Sequence, residues 1–198
     1  METDKVLLQA AQKMDRDAIV EIFELYSSPL YNYVLRLSGD RILADHIVGD
    51  VFAKLIEQLS MGKGPESNLR SYLYETAYHR LIDETRFTRR RAPLEAAAWI
   101  PQDRNSLFVS VEDEILFKQV LHVIRNRLTE DQRHVIVLRY LEEFSLRETA
   151  TILGKRVEHV KVIQSRAIVA LRKTLDYQNM RKMFSSPLVR NFTQSIGV

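Results

Sequence analysis

Basic and polar side chains recur between residues 157 and 171 at the spacing of one helix face, a pattern typical of DNA-reading helices. The side chains expected on that outer face are His159, Lys161, Val162, Ser165 and Arg166. The inward face is apolar and comprises Val160, Ile163 or Gln164, Ala167 and Leu171. Lysine and arginine so placed pair with guanine edges or with phosphates in the major groove. The alternative is a helical hairpin whose basic face is only solvated.

The charge distribution favours DNA binding at this end of the chain. Three further cations precede the helix where backbone phosphates would lie: Arg147, Lys155 and Arg156. Nine basic and three acidic residues fall between 147 and 182, whereas residues 1–60 hold six basic and ten acidic ones. The overall net charge of +3 is therefore the sum of an acidic front and a basic back. This asymmetry predicts a nucleic-acid surface in the second half of the chain.

A second group combines aromatic and basic side chains between residues 72 and 91. Its members are Tyr72, Tyr74, Tyr78, Phe87, Arg86, Arg89, Arg90 and Arg91. Aromatic faces interleaved with cations suit unstacked bases and the phosphates of a single strand. Aromatic residues at helical spacing are also often part of a core, and an arginine run can be a solvated helix end. The pattern therefore fits either a single-strand binding surface or a packed helix with a solvated basic end.

The sequence contains no motif that predicts catalysis. The histidines are scattered outside any H-E-x-x-H context, no glycine-rich loop could cradle a phosphate, and there is no cysteine. We therefore expect no catalytic residue, no metal site, no cofactor and no small-molecule substrate.

The composition is that of a globular protein. Of 198 residues, 45% are hydrophobic and 28% are charged. No apolar run is longer than five residues (Ala167–Leu171 is one), far short of the roughly 20 that span a membrane, and the first 13 residues carry charged side chains and do not resemble a signal peptide. We expect a cytoplasmic protein that is not inserted in a membrane.

Apolar residues recur every three or four positions in the first part of the chain, which predicts a bundle of three helices over residues 1–91. The first helix carries a stripe that includes Ile22, Phe23 and Tyr26, and it should stop at Gly39. Asp40 is placed to cap the second helix. Ser67 or Asn68 is placed to cap the third.

The periodicity fails over residues 92–113, which we interpret as a linker between domains. A second helical domain follows over 114–175, with capping boxes predicted at Thr129–Gln132 and Ser145–Glu148. A short helix, a turn at Gly154 and a longer helix give the helix-turn-helix layout. Residues 176–198 are a tail. The fold class predicted is all-α, with two small helical domains joined by a linker.

Taken in this order, these segments resemble a sigma factor of bacterial RNA polymerase, of the small extracytoplasmic-function group. In the run from Ala18 to Glu57 the matching residues are Tyr26, Leu30, Tyr31, Gly39, Asp40, Ala44, Asp45, Val51 and Phe52. In the third helix they are Leu69 to Tyr74, Ala77, Asp83 and Arg86. In the second domain they include Arg139, Tyr140, Glu148, Thr149, Ala150, Leu153, Gly154, Val160, Lys161, Arg166 and Ala167.

The resemblance implies a dissociable initiation factor that binds core RNA polymerase, directs it to promoters and helps to open the DNA. The first domain is then region-two-like, with polymerase and minus-ten functions, and the second is region-four-like and reads the minus-thirty-five element. The residues matched to the polymerase-binding helix are Asp45, His46, Gly49, Asp50 and Phe52. An anti-sigma factor is a further partner that the family implies.

Several positions depart from the family pattern. His46 and Gly49 stand where an acid and a glutamine are usual, and His79 stands where an asparagine captures a flipped base. The recognition helix starts with Lys155 and Arg156 in place of small polar residues, and Val162 offers a methyl group to thymine in place of a hydroxyl. An Arg-Leu pair is replaced by Ile163 and Gln164, which is expected to move the buried contact by one residue.

Two other functions also fit the sequence. One is a stand-alone helix-turn-helix transcriptional regulator whose first domain binds a protein or a signal. The other is a protein-interaction adaptor that never contacts DNA.

Overall fold

The computed structural model describes residues 2–91 and 111–174. Residues 92–110 of the predicted linker and the whole predicted tail lie outside the described residues. The α-helices are α1 (Glu2–Ala11), α2 (Arg16–Ser38), α3 (Arg41–Ser60), α4 (Leu69–Arg91), α5 (Val111–Arg127), α6 (Glu130–Ile136), α7 (Leu146–Ile152) and α8 (Val157–Thr174). A π-helix, Val137–Leu141, follows α6 directly. No strand occurs in the described ranges, so the predicted all-α class is confirmed.

Contacts divide these helices into two compact units, one built from α1–α4 and the other mainly from α5–α8. Helix α5 starts at Val111, three residues before residue 114, where the sequence predicts the second domain to begin. None of the described helices is long and apolar enough to cross a lipid bilayer.

The junction between α2 and α3 follows from local side-chain chemistry. Gly39 adopts a left-handed conformation (φ 74°) and its N–H donates to the carbonyl of Leu35 at 2.9 Å, which ends α2. Asp40 then accepts a hydrogen bond from the N–H of Leu43 at 3.1 Å and caps α3. Both roles were predicted. The two helices therefore form a hairpin and pack along their apolar sides.

The core of the first unit lies between α2, α3 and α4. Tyr33 and Tyr74 are fully buried, with their ring centroids 5.1 Å apart. Tyr74 is thus a core residue, which is the core alternative that the sequence left open for this aromatic group. Phe23 also departs from expectation, because it is 47% exposed although its stripe partners Ile22 and Tyr26 are buried.

Helix α1 is an element that the sequence patterns did not predict. It packs on α2 and α4, and the Tyr26 hydroxyl donates to a carboxylate oxygen of Asp4 at 2.9 Å. Burial and the neighbouring Asp4 carboxylate raise the pKa of Tyr26 to about 12. Just beyond α1, the Gln12 amide donates to the carbonyl of Pro65 at 2.9 Å. These two contacts hold the N-terminal segment on the bundle.

Gly49 lies inside α3, where a Cβ would meet nothing within 4 Å. We expect Gly49→Ala to raise the free energy of unfolding by about 0.5–1 kcal/mol, because alanine loses less backbone entropy in a helix. The matched control is Gly62→Ala, which also enters open space but at φ 67°. That substitution should lower stability by about 1–2 kcal/mol. Urea unfolding tests whether Gly49→Ala raises and Gly62→Ala lowers the free energy of unfolding. Stabilisation by both substitutions would contradict this explanation.

Two predicted capping boxes organise the second unit. The Gln132 side chain accepts from the N–H of Thr129 at 3.0 Å at the start of α6. At the start of α7, Ser145 Oγ accepts from the N–H of Glu148 at 3.2 Å, while Glu148 accepts from the N–H of Ser145 at 2.7 Å. Both boxes are confirmed. The π-helix between them was not predicted, although its residues Val137, Leu138 and Tyr140 are buried.

His134, in α6, is 3% exposed, and burial together with the charges of Arg133 and Lys155 lowers its pKa to about 3. The unfolded chain should titrate near the ordinary value of 6.5. The neutral ring therefore contributes its full stability above pH about 6.5, and this contribution is lost as the pH falls towards 3.

We expect the NMR signals of the His134 ring to stay constant from pH 8 to 5, because the ring remains neutral over this range. Below pH 6 this residue alone should lower the free energy of unfolding by up to about 1.4 kcal/mol per pH unit. A His134 signal that titrates near pH 6.5 would contradict the assignment.

Candidate nucleic-acid interface

Helices α7 and α8 form a helix-turn-helix around Gly154. Gly154 has φ 59°, which suits glycine, and the next residue closes the turn as the Lys155 N–H donates to the carbonyl of Ala150 at 2.9 Å. Val160, Ile163, Ala167 and Leu171 of α8 are buried against the rest of the unit. Of the two inward candidates, Ile163 is thus the buried one, at 7% exposure.

The outer face of α8 is exposed as predicted. The exposed candidates are His159, Lys161, Val162, Ser165 and Arg166. Val162 is 45% exposed although it is apolar, and it lies among cations. The methyl groups of Val162 can contact a thymine methyl group, while the neighbouring lysine and arginine side chains can donate hydrogen bonds to base edges. The face therefore has the composition of a base-reading surface.

The three cations around the turn differ in their surroundings. Arg147 and Arg156 are exposed. Lys155 is not, since its side chain is 21% exposed and its Nζ lies 3.1 Å from a carboxylate oxygen of Asp131. Lys155 is thus engaged within the protein, whereas the sequence predicted a phosphate contact.

One group of polar side chains behind α8 was missed by the sequence patterns. Arg139, in the π-helix, donates to Oε1 of Gln164 at 3.4 Å and also to the carbonyl of Phe144. Gln164 in turn donates from Nε2 to the hydroxyl of Tyr140 at 2.9 Å. The available signal was Gln164 itself, a polar residue next to the buried face of the recognition helix.

On α4, the structure separates the predicted single-strand contacts. His79 and Arg86 are exposed and Tyr78 is half-buried, with the Tyr78 and His79 rings 5.3 Å apart. The hydroxyl oxygen of Tyr72 is buried, and burial raises the pKa of this phenol. Only part of its ring can therefore meet a base. The side chains of Arg89, Arg90 and Arg91 lie outside the described residues.

The residues matched to polymerase binding lie on one side of α3, with one exception. Asp45, His46 and Gly49 are exposed. Each carboxylate oxygen of Asp50 lies near a different basic side chain. Asp50 Oδ1 is 3.9 Å from His46 Nε2, and Oδ2 is 3.8 Å from Nε of Arg80.

The exception on α3 is Phe52, which is 5% exposed and packs against the ring of Phe23 at 4.8 Å between centroids. Phe52 is therefore mainly a core residue, and its role in partner binding stays a prediction. Phe23, half of which reaches solvent, presents the aromatic surface at this place.

The exposed side of α3 also carries apolar residues that the sequence patterns overlooked. Ile42 is 84% exposed and Ile56 is 40% exposed. Helical spacing places both near Gly49 and Ala53, and we call these four residues, with Asp45 and His46, the α3 face. Both isoleucines lie off the buried stripe, and this offset is a signal that the sequence contains. Exposed apolar surface of this kind indicates a protein partner.

Comparison with known families identifies two matching segments. Residues 22–91 match the family described as Sigma-70 region 2. Residues 126–173 match the family described as Sigma-70, region 4. The first segment contains α3 and α4, and the second contains the helix-turn-helix.

Individual relatives extend the similarity over most of the chain. The chain is 26% identical over 173 residues to the ECF RNA polymerase sigma factor BldN of Streptomyces coelicolor, covering 85% of this chain but only 64% of BldN. It is 27% identical over 168 residues to the RNA polymerase sigma factor YlaC of Bacillus subtilis, covering 81% of this chain and 93% of YlaC.

Two solved structures share the fold. CnrH, solved in complex with the cytosolic domain of CnrY, superposes with a TM-score of 0.66 at 21% identity, covering 87% of this chain and 97% of CnrH. The sigma factor RpoE of Bartonella quintana, solved with the anti-sigma factor NepR, gives 0.62 at 24% identity, covering 79% and 96%.

Proposed function

Because the chain belongs to the sigma-70 family, in its extracytoplasmic-function group, we propose that it binds core RNA polymerase, directs it to promoters and helps to open the DNA. The observation that carries this proposal is the pairing of a helix-turn-helix with an exposed basic outer face in one unit and an exposed apolar helix face in the other. It acts as a binding factor without catalytic residues of its own, in the cytoplasm where the polymerase works.

We assign reading of the minus-thirty-five element to α8. Lys161 and Arg166 are exposed on its outer side and supply hydrogen bonds to base edges, and Val162 supplies a methyl contact. Arg147 and Arg156 lie at the two ends of α7 and its turn, where they contact phosphates and set the register of the helix on the duplex. Lys155, paired with Asp131, holds the turn.

We assign the opened minus-ten strand to α4. Tyr78 and His79 lie side by side, so a base that leaves the duplex can stack against either ring. His79 Nε2 is 3.9 Å from Glu75, which orients the ring on the helix surface. Arg86, two turns further on, is exposed and meets the phosphates of the same strand.

We assign polymerase binding to the α3 face. Its centre is apolar, formed by Ile42, Gly49, Ala53 and Ile56, and Asp45 and His46 flank that centre. Protein interfaces commonly combine an apolar centre with a polar rim. Gly49 leaves the middle of this face without a side chain, so the partner can approach the α3 backbone closely.

An anti-sigma factor is the proposed regulatory partner. CnrH and RpoE are each solved with a protein partner, the cytosolic domain of CnrY and the anti-sigma factor NepR respectively. Since this chain has the same fold, we propose that a protein of that class binds it and keeps it from the polymerase.

The test combines association and transcription with the full chain. Core RNA polymerase is mixed with the purified chain, and complex formation is followed by gel filtration. A genomic fragment library is then transcribed with and without the chain, and the 5′ ends of the products are sequenced. We expect a stable complex and new transcripts that share two upstream elements. Failure to associate with core at micromolar concentration, or duplex binding that needs no polymerase, would instead favour the stand-alone regulator.

A further inference from the structure

The polar group behind the recognition helix joins three parts of the second unit through two side chains. Arg139 lies in the π-helix and reaches both the carbonyl of Phe144, in the turn before α7, and Oε1 of Gln164, in the middle of α8. Gln164 completes the group by donating to the hydroxyl of Tyr140. The π-helix, the turn and α8 are thus linked by directional contacts.

The chemistry of the group fixes the orientation of the Gln164 amide. Arginine has only donors, so it must face the oxygen Oε1, and the amide nitrogen Nε2 is then turned towards Tyr140. The tyrosine hydroxyl accepts this bond. Gln164 is half-buried, so these bonds compete less with water than they would on an open surface.

The apolar side of α8 determines which face of the helix is buried, and the directional bonds of Gln164 add a further constraint on its rotation. Apolar contacts have no preferred direction, and the residue at the centre of the buried side is Ala167, a small side chain. A rotation of about 20° would carry atoms on the outer face through about 2 Å, since side chains extend about 5–6 Å from a helix axis. A shift of that size breaks direct hydrogen bonds to base edges.

We propose that Gln164 is a positioning residue that, through Arg139 and Tyr140, sets the rotation of α8 and so determines how sharply the protein discriminates between promoter sequences. The inference rests on the proposed function of α8. Ser165 and Arg166 follow Gln164 directly, and Lys161 lies one turn earlier; all three project from the outer face of α8. The rotation set by Gln164 therefore affects how well the protein discriminates between duplexes.

The test uses holoenzymes assembled from core RNA polymerase and full-length variants. The wild-type holoenzyme first selects its preferred minus-thirty-five sequence from duplexes randomised there. The quantity measured is the ratio of affinities for that duplex and for one with the element scrambled. Gln164→Met keeps the side-chain length but removes both hydrogen bonds, and Gln164→Glu keeps an acceptor for Arg139 and one for the Tyr140 hydroxyl. Gln119→Met, at an exposed position of α5, is the matched control.

We expect Gln164→Met to lower the ratio by about five-fold or more, the size of one lost neutral hydrogen bond, while Gln164→Glu and Gln119→Met leave it within about two-fold. Tyr140→Phe should lower the ratio in the wild-type background and change nothing further when combined with Gln164→Met.

An unchanged ratio in Gln164→Met would overturn the inference, even if thermal unfolding shifts, because the residue would then serve stability alone. Full additivity of Gln164→Met and Tyr140→Phe would overturn it as well. If the wild-type chain itself forms no holoenzyme, the proposed function fails first, and this result is distinct from every outcome above.

Discussion

Replacing Arg166 with alanine is expected to weaken binding of the holoenzyme to its preferred minus-thirty-five duplex by about 5- to 150-fold, equivalent to about 1–3 kcal/mol. Arg166 is exposed on the outer face of α8, one turn beyond Val162, so its guanidinium can reach a guanine edge. Its removal leaves the buried side of α8 untouched, and the free energy of unfolding should stay nearly constant. Fluorescence anisotropy with the preferred and a scrambled duplex measures the loss.

The matched control for this prediction is Arg127→Ala, which removes an exposed arginine from α5. It should change affinity for the preferred duplex by less than about two-fold. Lys161→Ala is expected to behave like Arg166→Ala. If Arg166→Ala and Lys161→Ala bind the preferred duplex as well as Arg127→Ala does, α8 does not read bases. The chain would then be an adaptor that does not contact DNA.

Placing an arginine at Ala53 is expected to reduce association with core RNA polymerase by about 100-fold or more. Ala53 is exposed near the centre of the α3 face, between Gly49 and Ile56. An arginine there would place a long charged side chain in the interface, where its desolvation costs about 3 kcal/mol or more, and arginine is nearly as good a helix former as alanine. The fold should therefore persist while docking is lost. Titration of labelled core polymerase with the chain gives the dissociation constant.

Gln9→Arg serves as the matched control, because it adds the same charge at an exposed position of α1. Association with the polymerase should then be close to that of the wild type. Equal affinities of the Ala53→Arg and wild-type chains for core would show that the α3 face is not the docking surface. Far-ultraviolet circular dichroism of both variants separates loss of docking from loss of helix.

The parts of the fold that could be predicted are those fixed within a few residues of sequence. Asp40 caps α3, Ser145 and Glu148 form a reciprocal box, and Gly154 takes the left-handed turn, each because its own side chain, or lack of one, dictates the local backbone. The exposed side of α8 followed in the same way from helical period. Local chemistry of this kind needs no knowledge of distant residues.

The features that escaped prediction depend on residues far apart in sequence. The position of α1 is tied to Tyr26 and Pro65, 22 and 53 residues away from Asp4 and Gln12. Lys155 was expected on phosphates, but Asp131 lies 3.1 Å from it once α6 is in place. The helical periodicity of a single sequence does not encode such long-range contacts.

The pairing of Lys155 with Asp131 has a consequence for the ionic-strength dependence of promoter binding. Each lysine or arginine that neutralises a phosphate releases a condensed cation from the duplex, and each such release steepens the fall of log affinity with log salt by about 0.9. Lys155 is already paired with the Asp131 carboxylate, so we expect it to displace less of this cation atmosphere than an unpaired lysine would. We therefore expect promoter binding by the helix-turn-helix to be less sensitive to salt than its count of basic residues implies.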